Sequence, residues 1–142
     1  MTLADWQKRG RLREHSPSRR EVADLLSLAD RDLRDCEVPG LSTDRSLSIA
    51  YNAALQCATA ALVAEGYRVA KSQPHHFRTL QSLRFTIGAD GDLVGALDAF
   101  RKKRNILAYE RAGAVSDREA AEMVALARRL RRMVGELSLI HI

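Results

Sequence analysis

The stretch that decides the fold is STDRSLSIAYNAALQCATAALVAEG, residues 42–66. Its interior contains neither Gly nor Pro, so nothing interrupts a helix of roughly six turns. Ser42 or Thr43 can cap the start of this helix, and Gly66 suits the left-handed position after its last turn. Alanines and larger apolar residues cover much of its circumference, which is typical of a helix buried on several sides. We therefore expect a central helix with other helices packed around it.

Capping patterns mark the first and last helices of the remaining sequence. Ser18 and Glu21 have the spacing of a capping box, in which a hydroxyl and a carboxylate each satisfy an unpaired backbone N–H. Ser116 and Glu119 repeat that spacing near the other end of the chain. In both segments the apolar residues that follow recur at helical intervals.

Two further helices are predicted between the central helix and the last one. Pro74 suits the first turn of a helix that ends at Gly88, and Asp90 or Asp92 caps the next. No competing strand pattern is evident. The sequence thus predicts an all-α, antiparallel bundle of about five helices over residues 18–142.

Residues 1–17 form a basic N-terminal arm that precedes the bundle. Trp6 and Leu12 either dock a short helix on the bundle or belong to a frayed terminus. Because the firm helical pattern begins only at Ser18, deletion of the first 14 residues is expected to spare the fold. The basic residues of the arm and the adjoining helix start are Lys8, Arg9, Arg11, Arg13, Arg19 and Arg20.

The composition indicates which classes of protein and which partners are plausible. The 142 residues carry a formal net charge of +5, which makes nucleic acid a plausible partner beside the simpler reading of a solvated basic surface. Cys36 and Cys57 have no metal or redox spacing, and no N-terminal apolar stretch resembles a signal peptide. We expect a cytoplasmic protein with no membrane span, no cofactor and no metal.

An arginine lies in the apolar stripe of the fourth predicted helix, within the segment RKKRNILAYE at residues 101–110. At about 100° per residue, Arg104 falls roughly 20° from the line of that stripe. Burying a guanidinium there costs free energy unless other groups accept hydrogen bonds from its N–H donors. Arg104 therefore pairs with a buried acid, extends to water, or lines an interface or cleft that recognises phosphate. The stripe consists of Leu93, Leu97, Phe100 and Leu107.

A polar ridge runs beside this stripe. Arg101 and Asn105 are four residues apart, as are Asn105 and Tyr109, so each pair is adjacent on the helix surface. The ridge is either a solvated face or the wall of a groove beside Arg104. His75 and His76 project about 100° apart and are expected to be exposed polar residues rather than metal ligands.

Two segments of the chain resemble the HEPN superfamily of small helical-bundle proteins. They are residues 101–110 and the sequence Tyr51-Asn52-Ala53-Ala54-Leu55 in the long helix. The resemblance implies a homodimer and, as partners, a nucleotidyltransferase-type protein of a toxin–antitoxin system or RNA. Many members are metal-independent ribonucleases, whose motif on a late helix contains Arg, a polar residue, spacers and His.

The motif is matched in part. Arg104 and Asn105 match its first two positions, whereas Tyr109 and Glu110 stand where it has His. Imidazole titrates near neutral pH and a tyrosine hydroxyl does not, so the proton carrier of the family mechanism is missing. We therefore expect a non-catalytic binding or regulatory module with Arg101, Arg104, Asn105 and Tyr109 as its binding residues.

Two alternatives stay open. One is a ribonuclease in which Arg104 and Asn105 act on the phosphate, while Tyr109 or a histidine from elsewhere moves the proton. The other is a basic nucleic-acid-binding bundle without enzymatic activity.

Overall fold

The computed structural model describes residues 1–109 and 115–141, and it describes side chains for residues 1–106 and 115–136. That part of the chain contains six helices and a sheet of two short strands, and the structure is 73% helical. The predicted all-α bundle is therefore confirmed. In chain order the elements are α1 (Leu3–Lys8), β1 (Leu12–Glu14), α2 (Arg19–Asp35), α3 (Thr43–Ala64), β2 (Tyr67–Val69), α4 (His75–Thr86), α5 (Gly91–Tyr109) and α6 (Asp117–His141).

Helix α3 is the centre of the bundle, as its composition predicted. It packs against α2, α4, α5 and α6, and its small alanines let these helices approach closely. By length and composition α3 is apolar enough to cross a membrane, but 61% of its apolar window is buried inside the bundle. That degree of burial is expected for the core helix of a soluble protein.

The boundaries of α3 and α6 are set by the residues that the sequence singles out. Ser42 Oγ accepts a hydrogen bond from the Arg45 N–H at 3.3 Å, and Gly66 follows the last turn of α3 with a φ of 91°. At the start of α6, Ser116 Oγ accepts from the Glu119 N–H at 3.1 Å. The Glu119 carboxylate accepts from the Ser116 N–H at 3.2 Å, so this capping box is confirmed.

The connection between α4 and α5 also follows the predicted signals. Pro74 lies immediately before the first residue of α4, and Gly88 follows that helix with a φ of 67°. Asp90, rather than Asp92, caps α5, because its Oδ1 accepts from the Leu93 N–H at 2.8 Å.

The capping pattern at the start of α2 is realised only in part. Ser18 Oγ accepts from the Glu21 N–H at 3.3 Å, but the Glu21 carboxylate turns away from Ser18. It accepts from Arg68 at 2.6 Å and lies 2.8 Å from His15 Nε2. The prediction of a reciprocal box was wrong here, because an arginine brought close by the fold offers a stronger, charge-assisted bond.

The expectation of a chain without strands was also wrong. Strand β1 pairs antiparallel with β2, with Leu12 opposite Val69 and Glu14 opposite Tyr67. Strands of three residues offer too few positions for an alternating pattern to stand out in sequence. The pairing arises because the fold brings the N-terminal arm against the connection between α3 and α4.

The N-terminal arm docks on the bundle through Trp6. This side chain is only 3% exposed and belongs to a small apolar cluster with Leu12, Leu62 and Val69. Its ring meets the ring of Phe85 edge-on at a centroid distance of 5.2 Å. Of the two alternatives for the arm, the docked helix is the one observed, and deletion of the arm is now expected to destabilise the fold.

Candidate anion-binding site

The rotation of α5 is set by its apolar residues and brings two arginines towards α3 and α4. Leu93 and Leu97 are buried in the core, and Phe100 packs against it. Arg104 follows Leu97 by seven residues, or about two turns, and therefore lies on the same face of the helix. This half-buried position is where the sequence placed it, at the end of the apolar stripe.

The guanidinium of Arg104 lies against two neighbouring residues of α3. Its Nη2 donates to Asn52 Oδ1 at 3.3 Å, and its Cζ lies 5.5 Å from the centroid of the Tyr51 ring. This is the range of a cation–π contact. Among the described side chains, no carboxylate pairs with Arg104. Among the described residues, a ring and an amide are therefore the groups that contact this guanidinium, and they leave further N–H donors for a ligand.

Arg101, one turn earlier, has a similar aromatic support. Its Cζ lies 5.4 Å from the centroid of Phe77 on α4, and its Nε donates to Asp98 Oδ1 at 2.7 Å. The other oxygen of Asp98 lies 3.5 Å from Lys102 Nζ. One carboxylate therefore faces two cations, so the described side chains of α5 around Arg104 carry a net positive charge.

His76 of α4 completes the cluster. Its Nδ1 lies 3.4 Å from the Tyr51 hydroxyl, and the two ring centroids are 6.0 Å apart. Burial lowers the pKa of His76 below its ordinary value, and the charges of Arg104, Arg101 and His75 lower that pKa further. The imidazole is therefore neutral at pH 7. The expectation that both histidines are exposed was wrong for His76, which is half-buried, and holds for His75.

Tyr51 forms the floor of the cluster and is neutral as well. Its side chain is fully buried, and burial raises the pKa of its hydroxyl to about 12, although Arg104 and Arg101 oppose that shift. The tyrosine hydroxyl and Nδ1 of the neutral His76 lie within hydrogen-bond distance, and the tautomer of the imidazole decides which of the two donates. Among the described side chains of the cluster, the positive charge therefore resides on Arg101 and Arg104.

The structure brings together only some of the binding residues predicted from sequence. Arg101 and Arg104 lie in the cluster, whereas Asn105 is exposed and no described contact links it to Tyr51 or His76. Tyr109 is the last residue of α5, and its side chain lies outside the described residues.

Sequence reasoning missed His76 as a member of the site, although a signal for it exists. Its spacing to Leu80 and Leu83 is i, i+4 and i+7, the helical pattern of one face. Since both leucines are fully buried, His76 lies on the side of α4 that faces the core.

Among the described side chains, no group of three His, Cys, Asp or Glu residues is arranged to hold a metal ion. Comparisons with known protein families and with curated proteins find no match to this chain.

Proposed function

We propose that this chain is an HEPN-like helical module that binds RNA through phosphate contacts at Arg101 and Arg104, without cleaving it. The observation that carries the proposal is the environment of Arg104. Its guanidinium is oriented by the Tyr51 ring and the Asn52 amide, and no described carboxylate neutralises it. An arginine held in this way is prepared for an anion, because its free N–H donors match phosphate oxygens.

The position of the cluster supports the family part of the proposal. The two segments that resemble HEPN proteins are far apart in sequence, and they meet through the contacts of Arg104 with Tyr51 and Asn52. The net charge of +5 favours a polyanionic ligand. A cytoplasmic location, a homodimer and a nucleotidyltransferase-type partner in a toxin–antitoxin system belong to the same proposal.

Arginines stacked on aromatic rings extend this surface beyond the cluster. Arg78 lies within cation–π distance of both Trp6 and Phe77, and the Arg11 Cζ lies 5.5 Å from the centroid of the Trp6 ring. The Trp6 ring is buried, so it orients these arginines rather than offering a face to bases, and the arginines themselves can contact several phosphates of one nucleic-acid strand. RNA therefore fits the arrangement better than an isolated small anion does.

Binding of a short fluorescein-labelled RNA, followed by anisotropy, tests the proposal. We expect Arg104→Gln to weaken binding by about tenfold or more, the scale of a lost hydrogen bond to a charged group. Arg104→Lys is expected to recover only part of the affinity, because a lysine keeps the charge but lacks the planar fork. Lys102→Gln, which removes a charge from an exposed position on the same helix, is the matched control. Equal affinities for Arg104→Gln and Lys102→Gln would refute the proposal.

A second function, metal-independent RNA cleavage, is favoured by one observation. His76 is neutral at pH 7 and lies beside the same tyrosine that supports Arg104. A neutral imidazole can take the proton of a ribose 2′-hydroxyl as that oxygen attacks the adjacent phosphorus. The 5′-oxygen then leaves with a proton from the imidazolium, a 2′,3′-cyclic phosphate forms, and Arg104 stabilises the charge that develops on the phosphoryl oxygens.

Incubation of RNA with the protein in the presence of a chelator separates the two functions. Cleavage that is lost in both His76→Gln and Arg104→Ala, with cyclic phosphate ends on the products, would establish the enzyme. Intact RNA that is nevertheless bound through Arg104 is the result we expect.

A further inference from the structure

A second basic cavity adjoins the Arg104 cluster. It has a volume of about 260 Å³, and its cationic and titratable lining comes from Arg13 of β1, Arg68 of β2 and the two histidines at the start of α4, His75 and His76. Leu55 and Leu62 of α3 add apolar wall. The cavity therefore combines positive charge with apolar surface, the combination that a nucleotide requires.

The charges of this cavity are only partly neutralised within the chain. Arg13 and Arg68 are register partners in the sheet, and like charges directly opposite each other are unfavourable. Arg68 is compensated by Glu21 at 2.6 Å, a carboxylate that also contacts His15. For the side chain of Arg13, no hydrogen-bond or ion-pair partner is found among the described residues. An anion placed between the two arginines would relieve their repulsion.

His76 joins this cavity to the first site. The residue lines the cavity, and it also contacts Tyr51, whose ring supports Arg104. The two positive regions are thus neighbours that share one side chain rather than separate patches.

We propose that the cavity lined by Arg13, Arg68 and His75 is a second phosphate subsite, so that the ligand is a single RNA strand contacted at two or more of its phosphates. This inference rests on the proposed function of the Arg104 site. A single strand can bend to bring neighbouring phosphates into two adjacent concave sites, whereas the phosphates of a duplex follow a stiff helix. The apolar wall faces the ribose or base between the phosphates.

The test compares Arg13→Gln with wild type, using oligoadenylate and the mononucleotide AMP as ligands over a tenfold range of salt. Loss of one phosphate contact lowers the slope of log affinity against log salt by about 0.7 for a single strand. Over that salt range, the affinity of wild type for oligoadenylate is then expected to fall about fivefold more than the affinity of the variant. AMP carries one phosphate and cannot contact both sites at once, so wild type is expected to bind oligoadenylate more tightly than AMP, and this advantage is expected to shrink both in Arg13→Gln and in Arg104→Gln.

Arg129→Gln is the matched control, because Arg129 is an exposed arginine of α6 that lines neither site. If Arg13→Gln and Arg129→Gln have the same salt slope, the second subsite is refuted while the Arg104 site stands. If Arg104→Gln leaves AMP and oligoadenylate binding unchanged, the proposed function fails, and this inference fails with it. Stronger binding of a duplex of the same length would refute the single-strand assignment.

Discussion

At the scale of single residues, the site depends on how a half-buried arginine is stabilised when no acid pairs with it among the described side chains. The Tyr51 ring supplies the negative face of its π-system, and the Asn52 amide supplies one acceptor. Neither group neutralises the charge, so the positive potential persists at the surface. Burial is the main reason that the pKa of His76 is lowered, and the charges of Arg104 and Arg101 lower that pKa further, since a third cation beside them would be repelled.

The lowered pKa of His76 predicts a pH dependence of stability. The unfolded chain binds a proton at the ordinary histidine pKa of 6.5, whereas the folded chain binds it only at lower pH. Stability therefore falls as the pH drops through 6.5, because the unfolded state then holds more protons. His76→Gln should reduce the difference in free energy of unfolding between pH 7.5 and pH 5.5, measured by urea denaturation.

His75→Gln is the control for that experiment: it removes an exposed imidazole from the adjacent position, and because His75 is the smallest of the causes that lower the pKa of His76, most of the pH dependence is expected to remain. Glu21 does not interfere with this measurement. The pKa of its carboxyl is lowered from 4.5, so the stability that this carboxylate contributes is lost only as the pH falls below 4.5. An unchanged pH dependence in His76→Gln would show that the imidazole is not held neutral by its surroundings.

At the scale of elements, the N-terminal arm is part of the structure rather than an appendage. Helix α1 is capped by Thr2, whose Oγ1 accepts from the Asp5 N–H at 3.2 Å, and β1 adds backbone pairing to β2. Trp6 buries its ring between these elements and Phe85. The arm therefore positions Arg13, the arginine of the second subsite for which no hydrogen-bond or ion-pair partner is found among the described residues.

Trp6→Ala should lower the free energy of unfolding by about 3–5 kcal/mol, the usual effect of removing a large buried aromatic side chain. Deletion of residues 1–14 should destabilise it at least as much, because the β1–β2 pairing is lost as well. Arg9→Ala, an exposed change in the same arm, should leave the melting temperature almost unchanged. Thermal unfolding followed by circular dichroism measures all three. A truncated protein with the wild-type melting temperature would mean that the arm contributes nothing to the fold.

At the scale of the whole molecule, the end of α5 bears on assembly. Ile106 is 41% exposed and lies two residues beyond Arg104 on α5, so its side chain is available to the two-fold interface that the HEPN resemblance implies. A two-fold interface at this face would place two copies of Arg104 near each other. Leu107 was predicted from sequence to belong to the apolar stripe of α5, and its side chain lies outside the described residues.

If α5 forms a homodimer, Ile106→Asp should dissociate it without unfolding the monomer, because one substitution enters a two-fold interface twice. Sedimentation velocity at micromolar concentration, with circular dichroism as a check on the fold, measures both properties. Val38→Asp, at an exposed apolar residue in the loop after α2, is the matched control. A wild-type protein that sediments as a monomer would remove the dimer from the proposal. Leu107→Asp should either dissociate the dimer or unfold the chain, as expected of a charge placed in the stripe.

The fold was largely predictable because its determinants are local. Ser42, Gly66, Asp90 and the Ser116 capping box act on backbone groups within one turn, so their effects can be read from spacing alone. The apolar content of α3 likewise predicts its central position. The strands could not be predicted, since each is only three residues long and exists because the other lies beside it.

The site was predictable only in part, and the reason is physical. Periodicity places Arg104 on the apolar face of α5, so the sequence by itself determined that the residue is unusual. Whether an acid, water, a ring or a ligand receives its charge depends on residues more than fifty positions earlier, and only tertiary packing brings Asn52 within 3.3 Å of it. The same packing decided the roles of Trp6 and His76, because burial and the charges across a cleft are properties of the assembled helices and not of any one segment.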